Sequence, residues 1–231
     1  MCAFNIICQN NGICNFNRTS NVYSCQCVNN YYGNNCQFQY LPLNSTTFIN
    51  STILSQENGI SLMTLIKVPF YSRATRVYQA TKDGFGASNF HSKVDGVLGT
   101  LTVIKSTNGN IFGGFTSLSW GASSNYYSDP SAYIFSLVNQ QNYSCVLNQT
   151  YQSNPIYSIY TNPRQAACFG SGFDLNVADQ SNSNNKSMAN IGSSYQAPSM
   201  NAASFLAGSL YFQILEVEVY TIISIYPISF I

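Results

Sequence analysis

Charge is what this chain has least of. Of 231 residues only 7% are Asp, Glu, Lys or Arg, the formal net charge is +1, and there is one histidine and one tryptophan. So weak a field steers neither a polyanion nor an anionic membrane surface, and nucleic acid is excluded as a partner. One histidine and scattered carboxylates fall short of the three or four ligands that a metal centre needs, so neither metal nor cofactor is expected. No basic leader with an apolar core follows Met1, which stands directly before Cys2, and the expectation is a fragment or a misassigned start. Long apolar runs are also missing. Tyr220 to Ile231 is apolar for 12 residues but interrupted by Pro227, short of the roughly 20 that span a bilayer. It reads as a tail over 222–231, and as a membrane anchor only if the chain continues beyond it.

What is plentiful is uncharged polarity and aromatic bulk. Seventeen Tyr, 15 Phe and 45% apolar residues are enough for one core of ordinary size plus a small module, so two domains are expected. Solubility falls to Asn, Ser, Thr and Gln. Six N-glycosylation sequons begin at Asn17, Asn44, Asn50, Asn142, Asn148 and Asn185. An Asn-rich chain generates such triplets by chance, and at least half are ascribed to that.

Six of the eight cysteines, Cys2, Cys8, Cys14, Cys25, Cys27 and Cys36, crowd into the first 36 residues. A stretch this short cannot bury a stable core, so covalent closure in an oxidising compartment must replace it, each bridge contributing about 2–5 kcal/mol. A zinc site is disfavoured, because the stretch has no C-x2-C pair and no histidine. Spacing alone leaves 15 connectivities for six cysteines. The run Cys25-Gln-Cys27, then five residues to Gly33 and two more to Cys36, resembles an EGF-like module. That resemblance implies bridges Cys2–Cys14, Cys8–Cys25 and Cys27–Cys36 over a module at 1–37. Calcium, bound by one EGF subclass, is not expected, since only Met1 precedes Cys2 and Arg18 occupies the required Asn/Asp position.

A polar linker with Pro42 spans 38–46. Beyond it, Ile53, Leu54, Ile60, Met63 and Ile66 recur at three- and four-residue spacing and predict an amphipathic helix over 53–67, with Gly59 inside it. Short β-rich runs follow at Val77–Ala80, Thr100–Lys105, Ile111–Thr116, Ala132–Val138, Ile156–Tyr160, Phe173–Val177 and Leu210–Tyr220, punctuated by Lys82-Asp-Gly84, Asn108-Gly109 and Asp129-Pro130. The fold class is therefore α+β, mainly β: a disulfide-stapled module and an antiparallel β-sandwich flanked by short helices.

The same runs carry a second resemblance. Asp83-Gly84-Phe85, Phe90-His91, Lys105, Gly113-Gly114, Trp120, Phe169-Gly-Ser-Gly-Phe-Asp174, Gly208 and Glu216-Val-Glu218 are similar to the TLDc domain, over 47–221. It implies a β-sandwich with flanking helices and no accepted catalytic mechanism, in a family known for oxidation-resistance proteins and intracellular regulators of the vacuolar proton pump. Many members have a cysteine just beyond the lysine after the Phe-His pair. Here Val94 follows Lys93, so a redox role for that cysteine does not carry over. Cys145 and Cys168 are expected to bridge neighbouring strands, with two buried free thiols as the alternative.

No catalytic residue is named. His91 with nearby Asp83, Asp95 and serines raises a hydrolase as a distant alternative, but Gly170-Ser171-Gly172 is not a nucleophile elbow. The plainer reading has a helix-borne His91 anchoring the Asp83-Gly84-Phe85 turn. Glu216 and Glu218 share one face of a strand, read as a solvated acidic face or a partner contact. The expectation is a non-catalytic extracellular or cell-surface protein that binds a protein partner. Its alternative is an intracellular TLDc-type regulator of oxidative stress or the proton pump.

Overall fold

The structure, a computed structural model, describes residues 8–17, 19–20, 22–28, 31–32, 35–39, 48–68, 72–150, 157–198 and 202–224. At the N-terminal end, β1 (Ile13–Asn17) pairs antiparallel with β2 (Val22–Gln26), Cys14 opposite Cys25, and β3 (Tyr31–Tyr32) pairs with β4 (Phe38–Gln39). Two disulfides close this stretch: Cys8–Cys25, with Cα atoms 5.6 Å apart, and Cys27–Cys36, at 5.3 Å. Cys14 is disulfide-bonded as well. The expected partner, Cys2, lies outside the described residues.

The larger part contains α1 (Gln56–Leu65), β5 (Ser72–Gln79), α2 (Ala80–Asp83), α3 (Ala87–Val94), β6 (Thr100–Ser106), β7 (Ile111–Thr116), β8 (Asn125–Tyr127), β9 (Tyr133–Val138) and β10 (Cys145–Asn148). It continues through β11 (Ile159–Thr161), β12 (Gln165–Phe169), β13 (Leu175–Ala178), β14 (Ser187–Met188), α4 (Ala202–Phe205), β15 (Tyr211–Phe212) and β16 (Ile214–Ser224). These strands form two six-stranded antiparallel sheets, ordered β10-β9-β7-β6-β16-β5 and β15-β14-β13-β12-β11-β8. Among the described residues no helix is long and apolar enough to cross a membrane.

The first sheet is buried on both faces, which is why Thr100–Ser106 reads as an almost unbroken buried run. Alternate side chains divide between two cores. Ile104, Phe112, Ile134, Val217 and Val219 meet Ile159, Ala167, Phe169, Leu175 and Val177 of the second sheet. Leu101, Val103, Ile111, Phe135 and Tyr220 point the other way, against Phe48, Ile53, Leu54 and the α1 residues Leu62 and Met63. Gly113 and Gly114 make this close double packing feasible on β7. A Cβ at Gly114 would lie 2.7 Å from the Phe169 ring across the sandwich, and one at Gly113 would lie 2.9 Å from Phe135 on the opposite face.

Mainly antiparallel β structure with a few short helices agrees with the sequence reading. Element bounds differ locally. The helix begins only at Gln56, because the Ser55 hydroxyl accepts the Asn58 N–H as its N-cap, leaving Ile53 and Leu54 in extended chain. The predicted Leu210–Tyr220 strand is two strands in different sheets, β15 and β16. The closing strand also runs on to Ser224, into the segment read as tail, with Ile222 packed against the second core.

Candidate functional site

Glu216 and Glu218 do share one face of β16, but that face is not solvated. Glu218 is fully buried and Glu216 is 5% exposed, because the chain at 48–55 lies across them. An unpaired buried carboxylate would be prohibitively costly, and each oxygen is met by donors. Glu218 accepts from Ser51 Oγ, Thr52 N (2.9 Å), Tyr220 Oη (2.8 Å) and Arg76 Nη1 (2.8 Å). Glu216 accepts from Thr81 N (3.0 Å), Thr81 Oγ1, Thr52 Oγ1 (3.1 Å) and Gln79 Nε2 (3.3 Å). Arg76 donates onward to the Asn50 carbonyl at 2.7 Å. The expected acidic surface is thus a buried clamp that fastens 50–52, the end of β5 and the start of α2 to the closing strand. Lys105, half-buried on β6, stands opposite Glu216 in the ladder.

The Asp83-Gly84-Phe85 turn is held by its own neighbours. Asp83 Oδ2 accepts the Gln79 N–H at 2.9 Å, and the Tyr78 hydroxyl donates to the Gly84 carbonyl at 2.6 Å. Gly84 has φ +104°, a conformation that L side chains disfavour, and Phe85 packs on the main core. His91 does not anchor this turn. Its Nδ1 lies 2.7 Å from Asp95 Oδ1, and its Nε2 lies 2.9 Å from the carbonyls of Asn162 and Gln165, so it ties α3 to the β11–β12 connection. All of these partners are acceptors, and no serine hydroxyl is among them. Phe90, beside it, makes edge contacts with Tyr78 (5.6 Å) and Trp120 (5.8 Å), and Trp120 donates from Nε1 to Thr100 Oγ1 at 3.0 Å. Gly208, at φ +86°, ends the α4 turn, where Asn108 Nδ2 donates to the Ala207 carbonyl.

Cys145 and Cys168 are free thiols, not a bridge. They were expected on neighbouring strands, but β10 is an edge of the first sheet and β12 lies inside the second. Burial, reinforced by Asp174, pushes the Cys168 thiol well up, and burial raises Cys145 too. Neither is therefore an activated nucleophile. Among the described residues no three His, Cys, Asp or Glu stand together as metal ligands.

Two further carboxylates, outside the predicted site set apart from the motif position of Asp174, act as loop fasteners. Asp129 accepts from Thr116 Oγ1 (2.6 Å), Ser117 N (2.7 Å) and Ser131 Oγ (2.6 Å). Burial opposes its ionisation, yet these bonds outweigh it and hold the carboxyl below its ordinary range. Asp174 accepts main-chain N–H groups of Gly192, Ser193, Ser194 and Tyr195, but its deeper burial wins and raises it. The cue missed in the sequence was Asp129-Pro130, read only as a turn.

Among the described residues, two of the open surface hollows are lined by charged side chains of both signs. One, about 290 Å³, is lined by Ile49, Arg76, Lys82, Asp83 and Lys93, and Lys93 pairs with Asp83 at 3.6 Å. The other, about 420 Å³, is lined by Arg164, Gln165, Asn176, Asp179, Asn184 and Lys186. Asn17, Asn50, Asn142, Asn148 and Asn185 are all exposed, and the sequon at Asn44 lies outside the described residues.

Fold and site together define an antiparallel β-sandwich domain in which every buried carboxylate is spent on holding chain segments in place. The sequence profile of the TLDc domain matches residues 47–223, and the chain belongs to the TLDc domain family. A search of curated proteins finds no match to it.

Proposed function

We propose that this chain is a non-catalytic interaction protein of the cell surface or extracellular space, in which an EGF-like module is joined to the TLDc domain. The observation that carries this reading is the pair of bridges Cys8–Cys25 and Cys27–Cys36, which coincide with the second and third bridges of the EGF pattern. Disulfides persist in oxidising compartments, so their presence within so short a stretch argues for export. The chemistry of the TLDc part supports binding rather than turnover. Its histidine and buried carboxylates are engaged in structural hydrogen bonds, and burial keeps its thiols protonated. The exposed sequons fit glycosylation on the same route.

The test is labelling of intact, unpermeabilised cells with an antibody to the TLDc part, paired with proximity labelling of its neighbours. Surface signal and a reproducible protein neighbour are expected. Signal confined to the cytosol after permeabilisation, with Cys8 and Cys25 as free thiols, would instead place the chain with the intracellular regulators of its family.

A further inference from the structure

The outward face of the second sheet carries a feature that the family motif leaves unused. Strand pairing lines up Tyr126, Tyr160, Cys168, Asn176 and Met188 across five strands. Their neighbours Ile159, Phe169 and Leu175 point into the sandwich, so this row points away from it. The Tyr126 ring meets Tyr160 at 4.6 Å and Tyr157 at 5.0 Å, forming a half-buried aromatic platform at one end of the row, beside the fully buried Cys168. The row meets the hollow of about 420 Å³ at Asn176, which belongs to both, with Tyr160 two strands away. That size falls in the range of roughly 300–1,000 Å³ typical of small-ligand sites.

Three chemical features meet there. Asn176, 4% exposed, and Gln165 each hold a buried side-chain oxygen with no hydrogen-bond partner, and such oxygens call for donors. Arg164 and Lys186 are exposed and take part in no ion pair among the described residues; the one carboxylate in the lining, Asp179, accepts the Ala87 N–H at 2.7 Å, so two cations face one anion and the hollow stays positive on balance. The tyrosine rings offer flat apolar faces with polar edges. A bare inorganic anion would suit the two cations but be repelled by the amide oxygens and ignore the rings. A neutral sugar would leave both cations idle.

We propose that this face binds an acidic carbohydrate: sugar faces stack on Tyr126 and Tyr160, hydroxyls donate to Asn176 and Gln165, and a carboxylate pairs with Arg164 and Lys186. The inference rests on the reading of the chain as a binding protein and gives its partner a chemical class. The test is calorimetric titration of the full oxidised chain with trigalacturonic acid and 3′-sialyllactose, beside their neutral counterparts, the methyl ester and lactose, and beside inorganic phosphate. At least one acid should bind saturably, with its neutral counterpart about tenfold weaker. The pair Arg164→Ala and Lys186→Ala, both at exposed positions, should erase that difference, and Tyr160→Ala should weaken both forms. No saturable binding of either acid, equal binding by phosphate, or binding indifferent to these substitutions overturns the proposal. A surface-located, fully bridged chain that ignores both sugars overturns this inference alone. A cytosolic chain that binds them overturns the surface assignment alone.

Discussion

Glu218 gathers donors from three separate parts of the chain, at Ser51 and Thr52, at Arg76 and at Tyr220. Replacing it with Ala leaves Ser51 Oγ, the Thr52 N–H and Tyr220 Oη without this acceptor and removes the ion pair of Arg76, which keeps only the Asn50 carbonyl, so Glu218→Ala should destabilise the domain by about 3–5 kcal/mol. Glu218→Gln keeps the shape and one acceptor, and should cost less. Urea unfolding followed by tyrosine fluorescence measures both, and equal stability of the Ala variant would contradict the clamp. Gly114→Ala drives a methyl against the Phe169 ring, which predicts a loss of about 1–3 kcal/mol in the same measurement. Asp129 sets a pH dependence. Its folded carboxyl lies below the ordinary value, so the unfolded chain takes up the proton first as pH falls. The stability that it contributes is complete above the unfolded pKa and disappears as pH drops through the folded one. Asp174 has the opposite sign: raised in the fold, it favours the native state at low pH and loses that contribution as pH rises through its folded pKa. Asp129→Asn should therefore flatten the acid limb of a plot of stability against pH, and an unchanged limb would refute the assignment.

At the scale of elements, the two parts of the chain differ in what holds them. Among the described residues of 8–39 the strands are two or five residues long, set around disulfides, whereas the sandwich has two apolar cores. Reduction should abolish the protection of β1 and β2 amides in hydrogen exchange while leaving β6 and β7 protected. Loss of protection throughout would contradict the separation. The elements legible in the sequence were those with a strong apolar signal: Ile111–Thr116 appears with the bounds read from its pattern, and Thr100–Ser106 is longer by one residue. Those missed had none. Gln165-Ala-Ala-Cys-Phe169 is built of small residues without alternation, and Asn125–Tyr127 and Ser187–Met188 are too short to show a period. The first half of β5, Ser72-Arg-Ala-Thr-Arg76, is mostly polar because that strand is a sheet edge, with Ala74 alone packed on the second core. The motif residues were found by resemblance, but their roles were not. Nothing in the order Glu216-Val-Glu218 reveals that a segment more than 160 residues earlier covers it, and the sequence around His91 points to the adjacent turn because its actual partners, at 162 and 165, are distant along the chain.

Across the whole molecule, the last strand is the keystone of the first sheet. β16 lies between β5 and β6, pairing with both over much of its length and presenting residues to both cores and the carboxylate clamp. Truncation before Ile214 should therefore prevent folding of the sandwich altogether, leaving no cooperative thermal transition. The central claim is the contrast between a covalently stapled N-terminal stretch and a sandwich whose thiols stay free. Peptide mapping of the native chain by mass spectrometry without reduction tests it most directly, with alkylation before and after unfolding. The account predicts linked Cys8–Cys25 and Cys27–Cys36 peptides, with Cys168 alkylated only after unfolding; free Cys8, Cys25, Cys27 and Cys36, or a linked Cys145–Cys168 pair, would contradict it.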